Sequence, residues 1–171
     1  MPLAILPSKR QLNPPFSSVA RLYDCLLRLS GIPSWLKRKL EAHLETTGIL
    51  CWFAPLEMQP GDWILPTLVE AIKEHDKLIL ILSEDSIKSE WVKFEVEIAQ
   101  SKERESEALV LFPISIDEAI TTCTEGWSQS LRENRHIGDF IHWEQHNNHQ
   151  QAFADLLRAL EREIPPTNKM P

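Results

Sequence analysis

Three stretches of the chain are almost continuously apolar: "ILCWFA" at residues 49–54, "KLILILS" at 77–83 and "ALVLFPIS" at 108–115. Strands that do not alternate apolar and polar residues are typical of a parallel sheet that is buried on both faces. Segments with helical spacing separate these runs, so strand and helix units alternate along the chain. The pattern predicts an α/β fold with helices on both faces of a doubly wound parallel sheet.

The remaining elements follow from the same patterns. We predict five strands, at residues 23–30, 49–54, 77–83, 108–115 and 137–141. Helices are predicted at residues 34–46, 64–75, 89–104, 127–134 and 150–163. With 171 residues, the chain suits one domain, which we assign to residues 21–164. Residues 1–20 contain four prolines and predict a poorly ordered arm, and residues 165–171 predict a flexible tail.

Charge and hydropathy restrict the partners. The 18 basic residues face 25 acidic ones, so the formal net charge is -7. A phosphate backbone binds to basic surfaces, and we therefore expect no nucleic-acid partner. The longest strongly apolar run, at residues 78–82, is too short to cross a bilayer, and we expect no membrane partner.

Cysteine and histidine usage gives no sign of a metal site. The three cysteines are far apart and form no C-x-x-C pair, which predicts no disulfide framework and favours a reducing, cytoplasmic location. His142, His146 and His149 are near one another in sequence, but no carboxylate or thiolate is clearly placed to complete a ligand set. We expect no metal.

The helix "SEWVKFEVEIA" at residues 89–99 has a carboxylate in its apolar seam. Glu95 lies four residues after Trp91 and three before Ile98, so the three side chains share a face. In the flavodoxin-like strand order 2-1-3-4-5, ligands bind between the first and third strands, beyond their carboxyl ends. The loops at 30–34 and 83–89 would flank that crevice, and the second leads directly into this helix. The sequence therefore predicts that Glu95 borders a ligand site, whereas the alternative is a solvated helix residue.

Over roughly residues 26–161 the chain resembles the bacterial type of Toll/interleukin-1 receptor (TIR) domain, and four blocks between residues 48 and 161 carry the resemblance. They are "GILCWFAPLEMQPGD", "LVEAIKEHDKLILILSEDSIKSEWVKFEVEIA", "LFPISIDEAI" and "RHIGDFIHWEQHNNHQQAFADLLRALE". The most specific motif is S-x-x-S-x-x-S-x-W-x-x-x-E, from Ser83 to Glu95. The resemblance implies a five-stranded parallel flavodoxin-like sheet. It also implies NAD as a substrate rather than a cofactor, because many bacterial members hydrolyse NAD.

The resemblance implies a role for particular residues. Glu95 matches the catalytic glutamate, which would stabilise the cation that forms on the ribose when nicotinamide departs. The loop at 55–62 is implied in self-association and in the nucleotide site. The substrate-binding candidates are Trp91, Ser30, Ser83, Ser86, Phe53 and Asp62. An alternative for Ser83, Ser86, Ser89 and Asp62 is that they cap the helices that follow them.

Two functions remain open from the sequence. The first is an NAD glycohydrolase in stress or anti-phage signalling. The second is a non-catalytic module that acts by homotypic contacts with itself or with another TIR-containing chain. The stretch "LLRLSGIPSW" at 26–35 keeps Ser30 but has Ile32 and Pro33 where polar and acidic residues are usual, which favours the module. Trp91 and Glu95 favour the enzyme. For an enzyme, the sequence does not distinguish a linear product from a cyclic one.

Overall fold

The structure is a computed structural model, and it describes residues 24–28, 32–54, 61 and 63–162. The predicted arm at 1–20 and the predicted tail at 165–171 lie outside the described residues. Most of the predicted loop at 55–62 also lies outside them. The limits of the predicted domain therefore stay predictions.

The five strands form one parallel sheet with the order β2-β1-β3-β4-β5. They are β1 (Asp24–Arg28), β2 (Leu50–Ala54), β3 (Lys77–Leu82), β4 (Leu111–Ser115) and β5 (Gly138–Asp139). Leu27 of β1 is in register with Phe53 of β2 on one side and with Ile79 of β3 on the other. The predicted flavodoxin-like order is confirmed, and the strand order reverses between β1 and β3.

The described residues form seven helices around the sheet: α1 (Ser34–Thr46), α2 (Ile64–Glu74), α3 (Glu84–Ile87), α4 (Glu90–Ser106), α5 (Ala119–Thr122), α6 (Gly126–Asn134) and α7 (His146–Glu161). The sequence does not predict α3 and α5, because four residues are too few to establish a helical period. Helix α7 begins at His146, four residues before the predicted start at residue 150, so Asn147 and Asn148 do not interrupt it as their amide side chains lead one to expect from the sequence. Both residues lie in the first turn of α7, where backbone N–H groups need no partner within the helix.

The alternate side chains of β3 enter two separate cores. Ile79 and Ile81 pack with α1, α7 and Ile114 of β4 on one face of the sheet. Leu78, Leu80 and Leu82 pack with α2, α4 and α6 on the other face. Every residue of β3 is buried, so its run of continuous apolar residues reflects burial on both faces.

Candidate functional site

The first turns of α4 lie at the edge of the sheet where the strands end. Strand β3 ends at Leu82, and the four-residue helix α3 carries the chain to Glu90, the first residue of α4. Strand β1 ends at Arg28, which is in register with Leu80 of β3. The start of α4 therefore borders the point where the strand order reverses, and open α/β sheets bind their ligands there.

Glu95 is completely enclosed by protein, with 0% of its surface exposed. It lies in the buried stripe of α4 with Val92, Val96 and Ala99, all of which belong to an apolar core. The structure thus excludes the alternative that Glu95 is a solvent-exposed helix residue. A carboxylate is expensive to remove from water, so such a residue in an apolar stripe is uncommon and is a candidate for function.

Trp91 precedes Glu95 by one helical turn and is partly exposed. Its ring centroid lies 6.2 Å from that of Phe94, and the two planes are tilted by 47°. The aromatic pair forms the surface of the first turns of α4. A helix brings residues four apart to one side, so Trp91 and Glu95 share a side of α4 as the sequence predicts.

Ser83 and Ser86 bind each other at the end of β3. The Ser86 N–H donates to Ser83 Oγ at 3.2 Å, and the Ser83 N–H donates to Ser86 Oγ at 2.6 Å. This reciprocal capping box starts α3, and both serines are buried. The capping interpretation of these two serines is confirmed, and their contribution to substrate binding stays a prediction. For Ser89 it is wrong, because Ser89 precedes α4 without a side-chain hydrogen bond to the helix.

The structure does not describe the side chains of three further candidates, Ser30, Phe53 and Asp62. Ser30 and Asp62 lie outside the described residues, as do residues 29–31 and 55–60 of the two loops that flank the predicted crevice. The backbone of Phe53 lies in β2, beside Leu27 of β1. The described part of the chain therefore locates Glu95, Trp91, Ser83 and Ser86 at one edge of the sheet.

A second buried carboxylate on α4, that of Glu103, was not predicted from the sequence. Only 3% of Glu103 is exposed. Its Oε1 accepts the N–H groups of Val110 and Leu111, each at 2.9 Å, and its Oε2 accepts from Arg135. Glu103 therefore fixes the far end of α4 to the start of β4. The sequence feature that could have revealed it is the spacing of eight residues between Glu95 and Glu103, which places the two carboxylates two turns apart on the same stripe of α4.

His149, in the first turn of α7, faces other aromatic side chains. The His149 ring centroid lies 4.8 Å from that of His43 and 5.6 Å from that of Trp143. No group of three potential metal ligands among His, Cys, Asp and Glu is found within the described residues. None of the described helices combines the length and the apolarity needed to cross a bilayer.

Described residues also form an open groove of about 1070 Å³, between the start of α4 and the α5–α6 segment. Phe94 contributes to the wall of this groove, but Trp91 and Glu95 do not. The groove thus includes residues 84 and 87–89 of the loop predicted to flank the crevice, but neither Trp91 nor Glu95.

Several Toll-like receptors are similar to this chain in sequence. Toll-like receptor 2 of Ovis aries is 28% identical over 111 residues, which are 60% of this chain. Toll-like receptor 2 of Macaca mulatta is 27% identical over 108 residues, which are 58% of this chain. The chain spans 13% of the length of these curated relatives.

Solved structures share the fold. The TIR domain of the Toll-related receptor TRR-2 from Hydra magnipapillata has a TM-score of 0.59 at 18% identity, covering 82% of this chain and 99% of that one. The TIR domains of the activated Roq1 resistosome, which recognises the effector XopQ, have a TM-score of 0.58 at 19% sequence identity. The match covers 81% of this chain and 99% of that one. A TIR-STING receptor from C. gigas has a TM-score of 0.56 at 19% sequence identity, and the match covers 86% of this chain and 44% of that one.

The profile of the TIR domain family matches residues 23–157, from the strand β1 into α7. That range includes all five strands of the sheet, the capping box of Ser83 and Ser86, and the α4 stripe with Glu95. The chain belongs to the TIR domain family.

Proposed function

We propose that this TIR domain, of the bacterial type, is an NAD glycohydrolase in which Glu95 is the catalytic carboxylate. The observation that carries the proposal is the complete burial of Glu95 on the helix that borders the switch point of the sheet. A protein keeps a carboxylate inside an apolar stripe at a cost in stability, and such residues concentrate at functional sites. Trp91, one turn earlier, would form a wall of the same site.

The proposed chemistry needs one anion. The bond between ribose C1′ and the nicotinamide nitrogen breaks, and its electron pair goes to the ring nitrogen, so nicotinamide leaves as a neutral molecule. The ribose then carries the positive charge of an oxocarbenium ion, which the carboxylate of Glu95 stabilises. Water adds to C1′ and loses a proton, giving ADP-ribose; attack by a group of the ADP-ribose itself gives a cyclic product.

The other proposed substrate contacts come from the chain around this edge. Ser83 and Ser86 hold the end of β3 through their capping box, so their role is to fix the backbone beside the substrate. Ser30, Phe53 and Asp62 complete the proposed set of contacts. The setting that we propose is a cytoplasmic stress or anti-phage response in which NAD is the substrate.

The test is cleavage of a fluorescent NAD analogue by the wild type, Glu95→Gln and Glu97→Gln. Glu97 is exposed on the same helix, so its variant controls for the loss of a negative charge. We expect Glu95→Gln to lower turnover by about 10²–10³-fold, the range for removal of one preorganised charge-stabilising group, and Glu97→Gln to leave it unchanged. Full turnover by Glu95→Gln would remove the catalytic assignment.

A second candidate function is a module that acts through contacts between TIR domains. Trp63 and Leu65, at the start of α2, favour it because 80% of Trp63 and 38% of Leu65 are exposed. Large aromatic side chains are enriched at the centres of protein interfaces. A wild-type domain that self-associates without cleaving NAD at high protein concentration would support the module and contradict the enzyme.

A further inference from the structure

The groove beside α4 combines an apolar floor with an acidic rim. Ile87, Phe94 and Trp127 contribute the apolar part, and 38% of Phe94 is exposed. Five carboxylates and two lysine ammonium groups line the groove, so its lining has a net charge of −3. An open groove of this composition suits a positively charged segment that carries an aromatic or aliphatic anchor.

The carboxylates of the rim remain available to a partner. Glu90, Glu118 and Glu125 are all exposed, and Glu90 and Glu125 lie where the helices α4 and α6 begin. The positive end of a helix dipole stabilises an acidic residue at such a position. Lys88 is already engaged, because Glu84 Oε1 accepts a hydrogen bond from its Nζ at 2.8 Å. That hydrogen bond raises the pKa of Lys88.

A complementary surface lies at the start of α1. Trp35 is 36% exposed, and its ring stacks on that of Trp143 with centroids 4.1 Å apart and planes 10° apart. Arg38 and Lys39 are exposed beside it, and Lys39 Nζ lies 5.1 Å from the Trp143 ring centroid. We call this set of Trp35, Arg38 and Lys39 the basic knob.

The energetics of α1 alone do not explain the basic knob. The first turn of α1 contains no acidic residue, and the cations follow within the next turn. The helix dipole favours the opposite arrangement, with anions at the N-terminus. Lys39 gains the contact with the Trp143 ring, but the exposed Arg38 breaks this rule, and residues that break a local rule are expected to serve an interaction or a function.

One copy cannot join these two surfaces to each other. The helix α1 packs on the sheet face that carries Ile79 and Ile81, whereas α4 and α6 pack on the opposite face. Both the knob and the groove lie near the edge where the strands end, since α1 follows β1 and α4 follows β3. The groove can therefore receive a basic knob only from a second copy.

We propose that copies of this domain associate head to tail, with the basic knob of one copy in the acidic groove of the next. Each copy uses two different surfaces, so the contact is heterologous and generates a ring or an open filament instead of a closed two-fold dimer. Trp35 packs against Phe94 and Trp127, while Arg38 faces the carboxylates of the rim. This interface rests on the self-association proposed above, and it is independent of whether Glu95 is catalytic.

The experiment measures the mass of the purified domain by sedimentation velocity over a range of protein concentrations. Arg38→Glu destroys the knob and keeps the groove, whereas Glu125→Lys destroys the groove and keeps the knob. We expect each single variant to weaken wild-type association by at least about tenfold, because a like-charge contact replaces an attractive one. Arg104→Glu and Glu97→Lys, exposed charge reversals outside both surfaces, are matched controls that leave the association unchanged.

An equimolar mixture of the two single variants tests whether the knob and the groove are the two halves of one contact. The native knob of Glu125→Lys pairs with the native groove of Arg38→Glu, and the two reversed surfaces attract each other, so the mixture associates where each variant alone does not. Growth of the wild type beyond dimers distinguishes the heterologous contact from a closed two-fold one. The variant that carries both reversals in one chain associates with itself again and does not join the wild type. Two misfolded variants would not complement each other, so complementation also shows that the variants are folded.

Three results would overturn the proposal. They are a wild type that stays monomeric at high concentration and low salt, single variants that associate as the wild type does, and a mixture of the two that does not associate. Full turnover of NAD by Glu95→Gln would instead contradict the proposed enzyme and leave these outcomes unaffected. Salt provides an independent check, because raising it from about 50 mM to about 500 mM shortens the Debye length and should weaken the contact.

Discussion

Replacing Glu103 with alanine tests how the helix that carries Glu95 is held in place. The Glu103 carboxylate accepts the N–H groups of Val110 and Leu111 and pairs with Arg135. Only 1% of Val110 and 2% of Leu111 are exposed, so water cannot replace the lost acceptor. The variant leaves two buried donors and a partly buried guanidinium without this partner.

The magnitude follows from these three contacts. A buried donor left unsatisfied costs about 1–3 kcal/mol, so two of them cost about 2–6 kcal/mol. Removing one partner of a buried ion pair costs about 3–5 kcal/mol, and the two effects overlap because one carboxylate makes all the contacts. We therefore expect the free energy of unfolding to fall by about 3–5 kcal/mol, a large part of the total of about 5–15 kcal/mol for a domain.

Urea unfolding followed by tryptophan fluorescence and by circular dichroism measures this change. The matched control is Glu97→Ala, which removes an exposed carboxylate from the same helix and should change the free energy of unfolding by less than about 0.5 kcal/mol. The midpoint for Glu103→Ala should fall while the dependence on urea stays the same. A loss below about 1 kcal/mol would refute the reasoning, because it would mean that Val110 and Leu111 find other acceptors.

Two further predictions concern helix ends. Glu107 has φ +53° at the end of α4, and glycine adopts that backbone more readily, so Glu107→Gly should raise the free energy of unfolding by about 1 kcal/mol in a urea titration; an unchanged or lower value would contradict this. Ser83→Ala removes the capping box with Ser86 and should lower the free energy of unfolding by about 0.5–2 kcal/mol, whereas a thermal midpoint equal to that of the wild type would contradict the capping role.

The sheet could be predicted from the sequence because burial on both faces leaves a clear pattern. Strand β3 needs apolar residues at successive positions, since Ile79 and Leu80 enter different cores. Helix α1 matches its predicted limits, and the chain turns at Gly48 with φ +82°. The helices α3 and α5 were missed because each is a single turn that depends on side-chain caps and tertiary contacts.

The site is only partly predictable from a sequence. Helical spacing places Trp91 and Glu95 on one side of α4, but spacing cannot distinguish an enclosed carboxylate from a solvated one. The contacts of Glu103 join residues seven, eight and 32 positions apart, so they emerge only when α4, β4 and the segment before β5 are assembled. The pairing of a basic knob with an acidic groove likewise needs three-dimensional placement, because neither surface is a continuous block of charge.

The central claim is that the Glu95 carboxylate stabilises charge that develops only when the glycosidic bond breaks. The direct test is the rate of nicotinamide release by Glu95→Gln at saturating NAD, measured by NMR and compared with the wild type. The account predicts that kcat falls by about 10²–10³-fold while the Kd for NAD changes by less than about threefold, because the lost interaction belongs to the transition state. A kcat equal to that of the wild type would contradict it.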